Sequence, residues 1–447
     1  MVNVRRLYRL YNNMNSSNIP KSFCVLPWIH TAIDPDGTIR PCCMTEFSYR
    51  MGDLNKTPML KDIFNNDKYK KLRLEMINGP ELPSPCRSCK LQEDAGAPSY
   101  RTRKNEEYAD VIDNLEIRPD GTADFVQLYI DYRFSNKCNF KCITCGPLLS
   151  SSHAIEENKI NSHIEGFQPK KAYIEVENFA EQFNSFSKDI REIYFAGGEP
   201  LIMDHHYEIL NSFIESQQPV RVRYNTNLSE LNYKGIDVVD LWTKINGEVC
   251  IGASIDGFGI EGETIRFGLD TAVFKQNVQK ITNSPKEIKL NFNITFGNTN
   301  YETVVDTVRE LLSMIPQDRE FHITFNPIFG PDYFAVHFLS AWQIERAVNL
   351  ITKQIDELEA ELTQTYKLEA PYNAYNAVKN LKNDFLEVVR NAVAHRFTKN
   401  RKETILSAIR RLDHQESIRK TNWRRDLPSM YRDWQEILED ESNINEQ

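Results

Sequence analysis

Three cysteines stand within eight residues, Cys138, Cys142 and Cys145, in the run Cys-Asn-Phe-Lys-Cys-Ile-Thr-Cys. Three thiolates at this spacing suit three corners of a four-iron, four-sulfur cluster and leave the fourth iron without a protein ligand. An open iron binds and reduces a small molecule. Zinc is the competing reading, but structural zinc favours C-x2-C pairs and needs a second pair to complete its tetrahedron. The three-residue gap between Cys138 and Cys142 suits zinc less well.

A second group lies upstream. Of the nine cysteines in the chain, Cys24, Cys42, Cys43, Cys86 and Cys89 fall in the first 90 residues, and only Cys250 stands alone, in a predicted strand. Clustering of this kind in a reducing compartment points to metal rather than disulfides. Cys86-Arg-Ser-Cys89 is a C-x2-C pair, and Gly37-Thr-Ile-Arg-Pro-Cys42 favours Cys42 over its neighbour Cys43. Cys24, Cys42, Cys86 and Cys89 therefore form a candidate four-thiolate site for either a [4Fe–4S] cluster or zinc. A fully ligated cluster has no open iron for substrate, which favours an electron-relay or structural role.

Other groups follow the trio at regular intervals. In Ala196-Gly197-Gly198-Glu199-Pro200, two glycines let backbone approach a ligand closely, and the carboxylate accepts bonds from an ammonium group. Asn225-Thr226-Asn227 and Ser254-Ile255-Asp256-Gly257 end two predicted strands, and Arg266 comes ten residues after Asp256. For Asp256 and Arg266, capping or a salt bridge competes with ligand contact. Tyr129, Asp131, Asn293 and Thr295 are further candidates, because alternate strand residues share a face. His205 and His206 with Asp204 read as a solvated helix start, and His30 as a packed side chain.

These residues need elements to hold them. Strands are predicted over 125–134, 190–196, 220–226, 248–255, 288–296 and 321–325, with helices near 202–217, 235–243, 270–283 and 300–315. Alternation of this kind means parallel pairing with right-handed crossovers, and six units suit an open partial barrel. Chemistry in such barrels sits at the C-terminal strand ends, where the cysteine loop and the strand-end motifs fall. The first hundred residues are proline-rich, with one amphipathic helix expected from Met59 to Met76, and too little apolar periodicity for a core without a metal staple. Beyond residue 338 the pattern turns helical, over 340–364, 372–395, 402–412 and 428–440. The fold class is thus α/β, a partial (β/α)6 TIM-like barrel over 118–335. A Cys-rich metal-cluster domain covers 1–117 and a helical region 336–447.

Composition narrows the function. The chain has 447 residues, a net charge of −9 and 40% hydrophobic residues. The acidic balance argues against coating nucleic acid through phosphate contacts, although Arg410-Arg411, Arg419-Lys420 and Arg424-Arg425 make local basic patches. No apolar run approaches the length of a membrane span, and the start has no apolar h-region after its charges, so a soluble cytoplasmic protein is expected.

The trio and the Gly-Gly-Glu-Pro turn together resemble the signatures of the radical S-adenosylmethionine superfamily. The N-terminal cysteines resemble the SPASM and twitch auxiliary-cluster domains, which usually follow the barrel instead of preceding it. The resemblance implies a catalytic [4Fe–4S] cluster on Cys138, Cys142 and Cys145 and one auxiliary cluster on Cys24, Cys42, Cys86 and Cys89. It implies S-adenosylmethionine contacts from Gly197, Gly198, Glu199, Pro200, Thr226, Asn227, Ser254, Asp256 and Arg266. Many members carry an aromatic residue before the third cysteine; here that position is Thr144, and Phe140 lies within the loop. The implied reaction is reductive cleavage of the cofactor to a 5′-deoxyadenosyl radical that takes a substrate hydrogen. An electron donor such as flavodoxin or ferredoxin is implied, with a peptide or protein as first substrate class and a small molecule such as a sugar derivative as second. A non-catalytic cluster- or zinc-binding protein is the alternative class.

Overall fold

Short apolar runs bounded by turn residues become eleven strands in this computed structural model, which describes residues 17–46, 48–94, 96, 98–133, 135–162, 165–174, 176, 179–366, 372–395 and 400–444. The strands are β1 (His30–Ile33), β2 (Thr38–Arg40), β3 (Gly52–Asp53), β4 (Tyr129–Tyr132), β5 (Glu192–Phe195) and β6 (Arg221–Thr226), then β7 (Asn232–Tyr233), β8 (Ile236–Asp237), β9 (Val249–Ser254), β10 (Lys289–Phe296) and β11 (Phe321–Pro327). The chain divides into two compact units. One holds Met1–Asn136, Ile174–Pro200 and Asp204–Val222, and the other Lys137–Tyr173, Leu201–Met203 and Arg223–Gln447.

In the first unit β3, β2, β1, β4 and β5 lie side by side in that order. The β1–β2 and β2–β3 pairs are antiparallel, whereas β1–β4 and β4–β5 are parallel. The strand expected over 125–134 shortens to 129–132 because its ladder partners, His30–Ile33 and Glu192–Phe195, are four residues long. Phe134 lies outside the described residues. The proline-rich N-terminal region buries far more than its weak periodicity predicts. Phe23, Val25, Trp28, Ile33, Phe64 and Leu72 are all buried, because β1 extends the sheet at the edge of β4 and shares its core.

Loop carbonyls in this region are satisfied by a buried cation. Arg73 donates to Pro27 O (2.9 Å), Phe64 O (2.8 Å) and Gly121 O (3.1 Å), and lies 4.4 Å from the Phe64 ring. The helix expected over Met59–Met76 is two helices, Leu60–Phe64 and Asp67–Asn78. Asn66 breaks it, because its side chain accepts from Tyr69 N and caps the second helix.

In the second unit β6, β9, β10 and β11 follow one another, with β9–β10 and β10–β11 parallel and β7–β8 a separate antiparallel pair. Parallel sheets usually cover both faces and read as continuous apolar runs. Here β10 alternates instead. Leu290, Phe292, Ile294 and Phe296 are buried on one face, while Lys289, Asn291, Asn293 and Thr295 share the other. β11 repeats the pattern with His322, Thr324 and Asn326 exposed. Helices Val238–Lys244, Thr271–Thr282 and Val304–Met314 alternate with these strands, and Asp204–Ser216 follows β5 in the first unit, as expected of the (β/α) class.

The C-terminal region is helical throughout its described length, over Ala341–Thr365, Tyr372–Asn380, Arg401–Arg419 and Pro428–Ile444 among others. Ser340 and Gln343 form a capping box at the start of the first. The helix expected over 402–412 runs on to Arg419. The one expected over 372–395 passes through a π-helical stretch at Leu381–Leu386. No described helix is long and apolar enough to cross a membrane.

Candidate metal centres

The two cysteine groups lie in different units, and each has its own surroundings. In the first unit, Cys24, Cys42, Cys86 and Cys89 line one cavity, together with Leu26, Pro41, Met76, Pro85, Tyr100 and Arg101. Cys24 sits just before helix Leu26–Ile29, Cys42 just after β2, and Cys86 and Cys89 on consecutive helical turns. Burial raises the Cys86 thiol to about 12, with Cys89 adding to the rise and Arg101 opposing it. Burial likewise holds the Cys24 thiol well above the ordinary range. Thiols this costly to ionise need cationic compensation, and a metal or iron–sulfur group provides it. Among the described residues no three His, Cys, Asp or Glu groups close in on one point as ligands of a single ion do. The four cysteines stand around a cavity instead.

Cys42 faces that cavity and Cys43 does not. The two thiols hydrogen-bond to each other, which raises Cys42 and lowers Cys43. Arg40 holds this turn: it pairs with the buried Asp34 (2.6 Å) and donates to the carbonyls of Cys43 (3.2 Å) and Thr45 (2.7 Å). Arg40 stands two residues before Cys42 in the sequence, where no spacing rule marks it as part of the site. His30 is packed, as expected, stacked on Tyr129 with ring centroids 4.1 Å apart. Tyr129 and Asp131 are fully buried, so neither offers an open face; Tyr129 bonds Tyr100 (2.9 Å) and Asp131 pairs with Arg133 (3.1 Å).

The Gly-Gly-Glu-Pro turn also lies in the first unit. Gly197 has φ +106°, and a Cβ there would come within 2.9 Å of Arg133 Cβ, so glycine is required for the turn to pack on the chain leaving β4. Gly198 N donates to Ser135 O (3.0 Å), Glu199 is buried, and Pro200 opens a short 3-10 turn. His206 corrects the expectation of a solvated helix start. It is fully buried, and burial lowers it to about 3.

In the second unit the cysteine loop is tied down at several points. Cys138 N donates to Ser151 Oγ (3.2 Å), Phe140 N to Cys138 Sγ (3.4 Å) and Cys145 N to Cys142 O (3.0 Å). Phe140 is buried, and Gly268, at φ +116°, leaves it room, since a Cβ there would lie 2.8 Å from its ring. Burial lifts the Cys142 thiol to about 12, and the Arg266 cation is the first influence opposing that rise. Cys145 is raised by burial, against the lowering effects of a backbone hydrogen bond at Gly146 and of Arg266. Two thiols of the loop, Cys142 and Cys145, lie near a buried cation, and with Cys138 in the same loop they make a donor set that fits a cluster of net negative charge.

Several predicted contact residues also hold the frame together. Arg266 pairs with the buried Asp256 (2.8 Å), which also accepts from Thr295 N (2.7 Å). Asn227 Nδ2 donates to Asn139 Oδ1 (2.9 Å), inside the cysteine loop, and Thr226 Oγ1 accepts from Leu228 N (2.9 Å). Ser254 ends β9, half-buried. The polar face of β6, β9, β10 and β11 carries a chain of side-chain bonds, of which the sequence singles out only Asn225 and Asn293. Thr324 Oγ1 donates to Asn291 Oδ1 (3.0 Å), Asn291 Nδ2 to Asn293 Oδ1 (2.8 Å) and Asn293 Nδ2 to Asn225 Oδ1 (2.9 Å). The last bond spans β9 at Gly252, where a Cβ would meet Asn225 Oδ1 at 2.5 Å and Asn293 Nδ2 at 2.7 Å.

The two thiol groups, one in a loop of the α/β region and one around a separate cavity, are donor sets for iron–sulfur groups. Residues 132–313 match the model of the radical SAM superfamily, and residues 24–90 match that of the SPASM iron–sulfur cluster-binding domain. The chain thus carries a radical SAM domain over residues 132–313 and a SPASM domain over residues 24–90, which imply [4Fe–4S] clusters and S-adenosylmethionine as cofactors. It is 20% identical over 251 residues to a GTP 3′,8-cyclase of Campylobacter lari, covering 55% of this chain and 70% of that one. Streptococcus suis SuiB bound to S-adenosylmethionine matches with TM-score 0.34 and 14% identity, over 66% of this chain and 64% of its own. Native anSMEcpe with bound AdoMet gives 0.32 and 12%, over 54% and 61%. The chain thus spans just under two thirds of these structures' length.

Proposed function

We propose that this chain is a radical S-adenosylmethionine enzyme acting on a peptide or protein. Cys138, Cys142 and Cys145 would hold the catalytic cluster, and Cys24, Cys42, Cys86 and Cys89 the auxiliary one. The chemistry these groups supply when bound is reductive cleavage of S-adenosylmethionine to 5′-deoxyadenosine with removal of a substrate hydrogen. The protein's own residues bind, orient and balance charge. Gly197 and Gly198 open backbone for a ligand, and Glu199 is the acceptor for its ammonium group. In the second unit the proposed cofactor contacts are Ser254 and the Thr226–Asn227 strand end. Asp256 orients Arg266, whose cation favours the thiolate forms of Cys142 and Cys145. A flavodoxin- or ferredoxin-type donor would supply the electron.

The observation that carries the peptide reading is the Thr324–Asn291–Asn293–Asn225 chain. It makes an uncharged floor of carboxamides whose Asn225 and Thr324 ends are exposed. Carboxamides present one acceptor and two donors, the match for peptide C=O and N–H groups. A nucleoside triphosphate needs several cations for its phosphates. Of the cations on this face, Lys289 is paired with Glu248 (3.2 Å) and Arg223 of β6 lies near Cys250.

The test is anaerobic reconstitution with dithionite and S-adenosylmethionine, with and without a pool of capped tetrapeptides. The cluster-loaded protein should form 5′-deoxyadenosine, and replacing all three trio cysteines by alanine should abolish it and remove roughly half the iron. No 5′-deoxyadenosine from cluster-loaded protein would sink the enzyme reading. Faster formation with GTP, and none with the peptide pool, would replace the peptide by a nucleotide.

A further inference from the structure

The last helices of the chain are built into the cysteine loop. Ile143, between Cys142 and Thr144, is buried in one apolar cluster with Ile405, Leu412, Trp423 and Trp434 of the C-terminal region. Beside it lies an ionic triad whose Glu156–Arg419 pair is buried. Glu156, on helix Ser151–Asn161, accepts from Arg419 Nη2 (2.6 Å) and Nε (3.0 Å) and pairs with Lys141 Nζ (3.1 Å). Its side chain is 2% exposed and that of Arg419 3%. Lys141 directly precedes Cys142, whereas Arg419 is the last residue of helix Arg401–Arg419. Both cations lie 4.9 Å from the Phe267 ring, and Lys141 N and Ile143 N donate to Phe267 O (2.8 Å) and Ile265 O (2.9 Å).

The chemistry of burial gives this arrangement its meaning. A buried ion pair adds little net stability over apolar packing of the same volume, but breaking one partner is costly. What such a group secures is geometry. Here the charges join three separate pieces of chain at the residue before a cluster cysteine. Loops are ordinarily the mobile parts of a fold. This one is fixed from behind, by an apolar socket at Ile143 and a charged clasp at Lys141. Arg419, which the sequence reads as part of a surface basic patch, is absent from the surface.

We propose that Arg419 is a positioning residue for the catalytic cysteine loop, and that the C-terminal helices are a fixed clasp holding Lys141–Ile143, and hence Cys142, in ligating geometry. This rests on the reading of Cys138, Cys142 and Cys145 as cluster ligands. Its consequence is that residues remote in sequence, after position 400, govern cluster retention without touching cofactor or substrate.

The experiment uses the full-length chain prepared free of iron, treated with iodoacetamide, and followed cysteine by cysteine by mass spectrometry. In Arg419→Ala, Cys142 should be alkylated at least about tenfold faster than in wild type, because local opening is no longer opposed by the clasp. Cys24 and Cys89, in the other unit, should react as in wild type. After reconstitution the variant should hold about half the wild-type iron, the share of one of two clusters. Arg424→Ala is the control, since Arg424 pairs with Asp413 (2.7 Å) at the surface of the same region and does not reach the loop. Wild-type labelling and iron in Arg419→Ala would overturn the proposal, as would an equal rise in Arg424→Ala. If Arg419→Ala shows no folded circular-dichroism signal, the pair Arg419→Met with Glu156→Met decides. It removes both buried charges, and faster Cys142 labelling there supports the clasp while wild-type labelling refutes it. Wild-type protein that takes up no iron through the trio refutes the cluster reading separately, because the labelling contrast needs no iron.

Discussion

Asp256 shows how a single carboxylate serves a site without being open to it. It is buried, it bonds Thr295 N, and it pairs with Arg266, whose charge reaches Cys142 and Cys145. The sequence left two roles open for this pair, ligand contact or salt bridge, and the salt bridge is formed. Asp256→Asn would leave Arg266 buried without its counter-charge, which costs about 3–5 kcal/mol. Urea unfolding should show a loss of that order, and a midpoint unchanged from wild type would mean the pair is solvated. The grouping of the cysteines was legible from spacing alone, and Cys42, which spacing prefers over Cys43, is the one that lines the cavity. Arg40, Arg101 and Arg419 were not, because a guanidinium has no spacing rule; its partners come from distant turns.

At the scale of elements, β10 and β11 carry their meaning in alternation. Lys-Leu-Asn-Phe-Asn-Ile-Thr-Phe reads as one apolar and one polar face, and the polar face is where the side-chain chain runs. That pattern was visible in the sequence; the bond from Asn293 to Asn225 was not, since it crosses β9 and depends on the missing side chain of Gly252. Gly252→Ala should break this bond and overpack the face, costing about 1–3 kcal/mol by thermal or urea unfolding. A cost near zero would show that the two asparagines can separate freely. Shorter elements were harder to read. The first barrel strand is trimmed by its neighbours' length, and the helix at Met59–Met76 is split by a cap, both decisions made outside the local apolar pattern.

For the molecule as a whole, buried histidines set the response to acid. Burial lowers His30 and His153 to about 4 and His206 to about 3, against an ordinary value near 6.5. The folded state keeps them neutral, so their contribution to stability is present above the unfolded value and lost as pH falls from 6.5 toward 4. Glu261 works in the opposite sense: burial raises it to about 7, so stability is gained as pH falls from 7 toward 4.5. Each group is worth at most about 1.4 kcal/mol per pH unit, so three against one leaves a net loss of roughly 3 kcal/mol per unit as an upper bound. Urea midpoints should fall between pH 6.5 and 5, with a shallower slope in His206→Leu; a flat profile would contradict the burial of these rings. The sequence by itself determined which residues are able to ligate iron, because thiol chemistry and loop spacing are local. It also determined that parallel strands alternate with helices, because that periodicity is local too. Only the tertiary structure decided what surrounds those thiols. Burial, counter-charge and the clasp at Arg419 arise between residues hundreds of positions apart, where no periodicity connects them.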